Sequence, residues 1–237
     1  AERSFKVLHA DGIYVTVAGQ LAPDAGKAEG VRAISTGRAA PEHLTALFRR
    51  LHEVVERAHK AGLIIGDFND LNILIRAATD SAITPYLIDA DSMQFGPFPC
   101  RMFTARFVDP TLCDSTAAAP MLIAPHRETS DWFAFAVMLF ETLLWVGPFG
   151  GVHAPKQGSV KVAHDARSLK RLSVLNADVR YPKPARPYGT LPDDLLQYFL
   201  RVFARDHREV FPRTLLENLR WTTCTTCGYT HARSMCP

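Results

Sequence analysis

Residues 63–75 read LIIGDFNDLNILI, and they set Asp67, Asn69, Asp70 and Asn72 within six residues of one another between two apolar runs. A surface loop would be polar throughout, and a core strand would not carry four amide or carboxylate groups. The stretch therefore reads as a site held between short strands. Upstream, Leu44, Leu47, Phe48, Leu51, Val54, Val55 and Ala58 recur at three- and four-residue steps, with Glu42, Arg49, Arg50, Glu53 and Glu56 between them. That period predicts an amphipathic helix with Pro41 in its first turn and Gly62 just past its end. Downstream, Ile73-Leu74-Ile75, a polar turn around Thr79-Asp80-Ser81, and Tyr86-Leu87-Ile88-Asp89-Ala90-Asp91 predict a hairpin with amides or carboxylates at one end. Residues 1–40 are rich in Gly and Ala and show one strand-like segment, Ile13 to Val17.

An Asp at the end of one strand, an Asn five residues later and an Asp leading out of the next strand can converge on one volume. Two carboxylates and an amide oxygen suit Mg²⁺ already chelated by phosphates, and the remaining carboxylate can accept a proton from a hydroxyl. Phosphoryl transfer needs that division of labour.

The composition limits the alternatives. A chain of 237 residues that is 47% hydrophobic can bury a real core, and 27 Lys and Arg against 24 Asp and Glu give a net charge of only +3. That balance argues against a nucleic-acid partner. The longest apolar run, Trp132 to Val146, includes Glu141 and Thr142 and is too short and polar to span a bilayer, so no membrane is expected. No signal peptide is read at the start. Five cysteines (Cys100, Cys113, Cys224, Cys227 and Cys236) are unlike a secreted disulfide framework, and a reducing cytoplasm is the expected location. Cys100 and Cys113 read as buried free thiols. Near the end, Cys224-Thr-Thr-Cys227-Gly228 forms half of a zinc knuckle and Cys236-Pro237 resembles the start of a second one, with His231 as the fallback fourth ligand for Zn²⁺.

These motifs together resemble the protein kinase-like superfamily. Asp67 and Asn72 match the catalytic-loop spacing D-x-x-x-x-N, and Leu87-Ile88-Asp89 matches the strand leading to the metal-binding Asp of the DFG position. Ser130-Asp131-Trp132, opening an apolar helix that ends in Gly147-Pro148-Phe149, is similar to the buried helix of the kinase C-lobe. Asp193-Asp194-Leu195-Leu196 through Asp206-His207-Arg208 is similar to its late-lobe pattern. The subgroup most resembled is the bacterial kinase-like proteins associated with von Willebrand and phosphatase modules of tellurite-resistance-type systems, on Gly66-Asp67-Phe68-Asn69-Asp70-Leu71-Asn72 and Ile88-Asp89-Ala90-Asp91-Ser92-Met93-Gln94.

The resemblance implies a mainly α chain with a small β component: a remnant of an N-lobe or hinge region over 1–40, a kinase-like C-lobe over 41–220, and a partial zinc-ribbon-like tail over 221–237. It implies ATP- and Mg²⁺-dependent phosphoryl transfer to a Ser or Thr hydroxyl of a protein substrate. Asp67 would be the base and Asn69 a hydrogen-bond donor in the catalytic loop. Asn72 and Asp89 would hold Mg²⁺, with Asp91 beside them in the nucleotide site. Asp131 would accept backbone hydrogen bonds from the catalytic loop, and His59 reads as packing against or capping the end of its helix.

Several departures qualify the resemblance. Ile65-Gly66 stands where many kinases have His-Arg, which argues against activation by loop phosphorylation. Asn69 replaces a lysine, Asp91 replaces the DFG glycine, and Asp109-Pro110-Thr111 stands at the P-E ending of the activation segment. There is no G-x-G-x-x-G before Asp67, and Lys6 and Lys27 do not read as the N-lobe strand lysine. Either N-lobe elements are supplied by a segment or chain outside this sequence, or nucleotide binding here is weak or absent. Two other readings stay open: a pseudokinase or scaffold that binds a partner protein through the lobe and zinc tail, and a small-molecule phosphotransferase, encouraged by Gly66-Asp67. The basic stretch Lys156 to Arg171 reads as a solvated face.

Overall fold

The computed structural model describes residues 6–8, 14–16, 40–77, 83–156 and 160–237. Lys27, most of the 1–40 segment and the turn at 79–81 lie outside the described residues. In chain order the elements are β1 (Lys6–Leu8), β2 (Tyr14–Thr16), α1 (Pro41–Lys60), β3 (Leu63–Ile64), β4 (Ile73–Ala77), β5 (Ile83–Leu87), β6 (Gln94–Phe95), α2 (Glu128–Leu144), β7 (Val152–His153), β8 (Val179–Arg180), α3 (Asp193–Ala204), α4 (Arg213–Glu217), β9 (Thr222–Thr223) and β10 (Thr230–His231). Helices carry the core and the strands are short, as expected of a mainly α chain with a small β component.

Helix α2 is the centre of the fold. Trp132 to Leu144 is apolar on every face, and all of its residues except Thr142 are buried. Such a helix is stable only when wrapped by other elements. Helix α1 covers one side with its Leu44, Leu47, Phe48, Leu51 and Val55 face, and α3 covers another with Leu195, Tyr198, Phe199, Val202 and Phe203. The contacts are largely aromatic and edge-on: Phe48 meets Phe135 at 5.4 Å between ring centroids, and Phe140 meets Phe199 at 5.0 Å. That geometry sets ring edges against ring faces, which the quadrupoles favour. Helix α2 ends where Trp145 adopts a left-handed conformation, and the Arg186 guanidinium lies over the Trp145 ring. Among the described residues no helix is long and apolar enough to cross a membrane.

The main sheet has the order β2-β1-β4-β5. The expected hairpin is β4 against β5, with Ile73 opposite Leu87 and Ile75 opposite Pro85. β1 was not legible in the sequence: Lys6 lies in a strand that pairs parallel with β4, opposite Leu74. Of the strand-like segment read near residue 15, the described part is β2, antiparallel to β1. Leu63–Ile64 does not join this sheet but pairs with β6, Ile64 opposite Gln94, which ties the start of the polar loop to the segment after Asp91.

Between β6 and α2 the chain forms only a 3₁₀ turn at Pro110–Leu112 and a bridge of Cys113 to Leu122, and an ion pair with a buried carboxylate fastens it. Arg208, after α3, donates Nε and Nη2 to the two oxygens of Asp109 at 2.7 and 2.8 Å, and its guanidinium stacks on Phe133 at 4.5 Å. Asp109 Oδ1 also accepts the Thr111 N–H at 2.9 Å, capping the short turn that follows it. Arg167 departs from the expected solvated face: it is buried and donates to the carbonyls of Gly150 and Gly151, fixing the turn after α2. Its neighbours at 157–159 lie outside the described residues.

Candidate functional site

The polar loop between β3 and β4 is anchored from below by Asp131, at the head of α2. Asp131 is completely buried and accepts the Ile65 N–H at 2.8 Å on Oδ2 and the Gly66 N–H at 3.0 Å on Oδ1. His59 Nε2 makes a third contact with Oδ2 at 2.8 Å. His59 therefore does not cap its own helix; it bridges the end of α1 to the carboxylate that holds the loop. Burial, the largest influence, pushes the Asp131 carboxyl above the ordinary aspartate range, while the hydrogen bonds from His59, Ile65 and Gly66 pull the other way.

Gly66 explains why no side chain precedes Asp67. Its φ is +76°, and a Cβ there would sit 2.8 Å from the Ser92 carbonyl oxygen and 2.9 Å from Cys100 Sγ. The glycine lets the loop lie directly against the turn that follows Asp89. Any side chain at position 66 lacks room in this arrangement.

Within the loop, Asn69 uses all of its amide. Its Oδ1 accepts the Leu71 and Asn72 N–H groups at 2.9 and 3.2 Å, and its Nδ2 donates to the Asp67 carbonyl at 2.9 Å and to Thr104 Oγ1 at 3.2 Å. Asn69 is 3% exposed, so it caps the short 3₁₀ turn at 70–72 and positions the loop instead of presenting a free donor. Asn72 Nδ2 also donates to the Asp67 carbonyl, at 3.0 Å. That bond sets the Asn72 amide with its nitrogen toward the Asp67 backbone. Two amides from one loop thus pin the Asp67 backbone, while Asp67 Oδ1 is buried with no hydrogen-bond partner among the described residues.

The Asp89 end is joined to this loop by the hairpin register. The Ile88 N–H donates to the Asn72 carbonyl at 3.0 Å, so Asn72 and the residue entering Asp89 face each other across β4 and β5. Asp89 has φ 64° and ψ 56°, a left-handed conformation that costs a non-glycine residue about 1–2 kcal/mol. The Ser92 N–H and Oγ–H both donate to the Asp89 carbonyl, at 3.0 and 2.9 Å, and hold it there. Asp91 is exposed in the turn at 90–92. Among the described residues the carboxylates of Asp67, Asp89 and Asp91 do not gather into one cluster.

The rim was not legible in the sequence. Thr104 reaches Asn69, Arg106 lies 3.4 Å from Asp70, and Cys100 packs on Gly66. Beyond Thr104 a cavity of about 400 Å³ opens, with Ala105, Arg106, Glu141, Phe149, His164 and Asp165 among its lining residues.

The second cluster of chemistry is at the end of the chain. The Cys224, Cys227 and Cys236 sulfurs all lie within 4.8 Å of one another, and the Cys227–Cys236 pair is 3.4 Å apart, so the thiols are free and adjacent. The knuckle follows from the β9–β10 hairpin: the Cys224 N–H donates to the Tyr229 carbonyl, and Gly228 turns back to the Cys224 carbonyl with φ +73°. The backbone N–H groups of Cys227 and Thr226 bring the Cys224 thiol down to about 7. Hydrogen bonding to the Cys227 and Cys224 sulfurs pushes the Cys236 thiol up to about 12. Three adjacent sulfurs with N–H groups aimed at one of them can hold a metal ion such as zinc. His231 lies outside this group: its register opposite Thr222 turns the ring into the body of the protein, where it is 3% exposed and its Nδ1 accepts the Arg233 N–H at 3.3 Å. The thiol trio and the Asp67 loop are thus separate sites. No protein-family model and no curated protein matches this chain.

Proposed function

We propose that this chain is a protein kinase-like C-lobe that acts as an atypical serine/threonine phosphotransferase, using ATP and Mg²⁺. The observation that carries the reading is the pairing of a buried carboxylate oxygen on Asp67, unpartnered among the described residues, with a strained carboxylate residue, Asp89, which directly follows the residue that the hairpin register sets opposite Asn72. An unpaired buried acceptor and a left-handed non-glycine residue are both costly, and such features cluster where function maintains them. Bound Mg·ATP would supply the transferable phosphoryl group and the cation that screens its charge.

In this reading the Asp67 carboxylate orients the acceptor hydroxyl and takes its proton. The Asn72 and Asp89 oxygens hold the cation. Asn69, Asp131 and His59 act at one remove, by fixing the loop that carries Asp67. Asp91, exposed in the adjoining turn, would extend the nucleotide side of the site. The cavity beyond Thr104, about 400 Å³ and lined by both acidic and basic groups, would offer room for part of the acceptor. Location in the cytoplasm accords with free thiols at all five cysteines.

A second reading, a scaffold that keeps the fold and binds a partner protein, is favoured by one feature. Phe95, Phe98, Met102, Met121 and Ile123 are all exposed along the segment between β6 and α2, beside a groove lined by Pro99, Phe103, Leu122 and Pro125. Apolar surface of this kind marks contact sites. The deciding experiment is transfer of labelled γ-phosphate from ATP to the chain itself or to a generic protein acceptor, compared with Asp67→Asn. Mg²⁺-dependent transfer abolished by the substitution supports the enzyme. No transfer by native protein together with partner capture that is lost on Met121→Asp supports the scaffold.

A further inference from the structure

The C-terminal thiols differ from the other cysteines in what surrounds them. Cys100 and Cys113 are each buried and apart from other cysteines, whereas Cys224, Cys227 and Cys236 converge at the surface. A tetrahedral zinc–thiolate centre with Zn–S bonds of about 2.3 Å sets its sulfurs about 3.8 Å apart, so three sulfurs within 4.8 Å of one another need only small shifts to receive the ion.

The residues between the second and third thiols are docked on the body of the protein. The Ala232 N–H donates to the Thr190 carbonyl at 2.8 Å, and Ala232 belongs to the main hydrophobic core. Arg233 pairs with Asp193 at the start of α3. Pro237 lies against Gly189. Just before the first thiol, Trp221 packs on the same core and its Nε1–H donates to Thr45 Oγ1 of α1 at 2.9 Å. These anchors lie inside, or within three residues of, the 224–236 stretch that an ion shared by the three thiols would close.

We propose that Cys224, Cys227 and Cys236 bind one Zn²⁺, and that the ion clamps residues 221–237 onto α1, α3 and the 188–190 turn, so that metal binding stabilises the whole fold. The physical basis is reciprocal linkage. Closing the loop removes conformational freedom that docking would otherwise have to remove, and docking brings Cys236 to the other two thiols. The proposal is independent of the phosphotransferase reading, and its failure would leave that reading untouched.

The test uses the full chain stripped of metal by a chelator. Co²⁺ serves as the spectroscopic probe and Zn²⁺ as its competitor, and thermal unfolding is followed by near-ultraviolet circular dichroism, which reports on buried Trp132. One Co²⁺ should bind with thiolate charge-transfer bands and be displaced by one Zn²⁺, and Cys224→Ser should abolish the bands. Zn²⁺ at about a thousandfold over its dissociation constant should raise the single melting transition by roughly 8–16 °C. Ala232→Asp, which leaves the thiols intact but expels the docked segment, should weaken the metal by about tenfold or more, and Arg233→Ala by about two- to fivefold. Absence of stoichiometric binding, a melt unchanged by Zn²⁺, or native affinity in Ala232→Asp would each overturn the proposal.

Discussion

Replacing Gly66 by alanine tests whether the Asp67 loop and the Asp89 turn are one packed unit. The residue sits at φ +76°, where an added Cβ costs about 1–2 kcal/mol from backbone sterics alone. That Cβ would also lie 2.8 Å from the Ser92 carbonyl oxygen and 3.0 Å from Cys100 Cβ. Neither is the free end of a flexible chain: Ser92 is in the turn that fixes Asp89, and Cys100 is buried with its sulfur near the Met102 carbonyl. Overpacking of this kind costs a further 1–3 kcal/mol or so, for a total of about 2–5 kcal/mol. Gly62 is the internal control, since it has φ +75° but nothing within 4 Å of its would-be Cβ. Gly62→Ala should cost about 1–2 kcal/mol, the strain alone. At about 2–4 °C per kcal/mol for a domain of this size, Gly66→Ala should melt roughly 2–12 °C below Gly62→Ala. Faster alkylation of Cys100 should accompany the shift. Equal melting temperatures for the two variants would show that the loop does not press on the Asp89 turn.

Three further outcomes follow from the same contacts. Asp131→Ala leaves the Ile65 and Gly66 N–H groups without their acceptor at about 1–3 kcal/mol each, and should lower the urea midpoint far more than Asp131→Asn, which keeps one oxygen. Arg208→Ala strands the buried Asp109 carboxylate and should destabilise by about 3–5 kcal/mol, whereas the double variant Asp109→Ala/Arg208→Ala should recover part of that loss. Asn69→Ala removes the cap of the 70–72 turn and should cost about 1–2 kcal/mol in denaturant titration, with Asn69→Asp, which keeps the acceptor, losing less.

Much of this fold was legible because its helices are long and differently patterned. The stepwise apolar face of α1 and the unbroken apolar run of α2 identify a covering helix and a central one, and the register of β4 and β5 follows from two short apolar runs around a turn. β1 was not legible, because a three-residue strand leaves no period and its partner β4 is far along the chain. Of the two readings of His59, packing holds, since its ring meets Trp132 edge-on at 5.6 Å, but nothing local announces Asp131, its hydrogen-bond partner across the core. Asn69 reads as a catalytic-loop hydrogen-bond donor by type and position, and its amide makes four hydrogen bonds, three within the loop and one to the distant Thr104, that only the chain's three-dimensional path creates. His231 carries a ligating ring at a plausible spacing, but strand pairing turns it inward. Position in the sequence identifies which groups are available, and register decides where they point.

The central claim is that Asp67, Asn72 and Asp89 form a nucleotide–metal site, and calorimetric titration of Mg·ATP into the native chain and into Asp89→Ala tests it most directly. Saturable binding that requires Mg²⁺ and is lost in Asp89→Ala, with that variant still showing the native circular dichroism spectrum, is the predicted result. Absence of binding to the folded native chain, or binding that persists unchanged in Asp89→Ala, would contradict it.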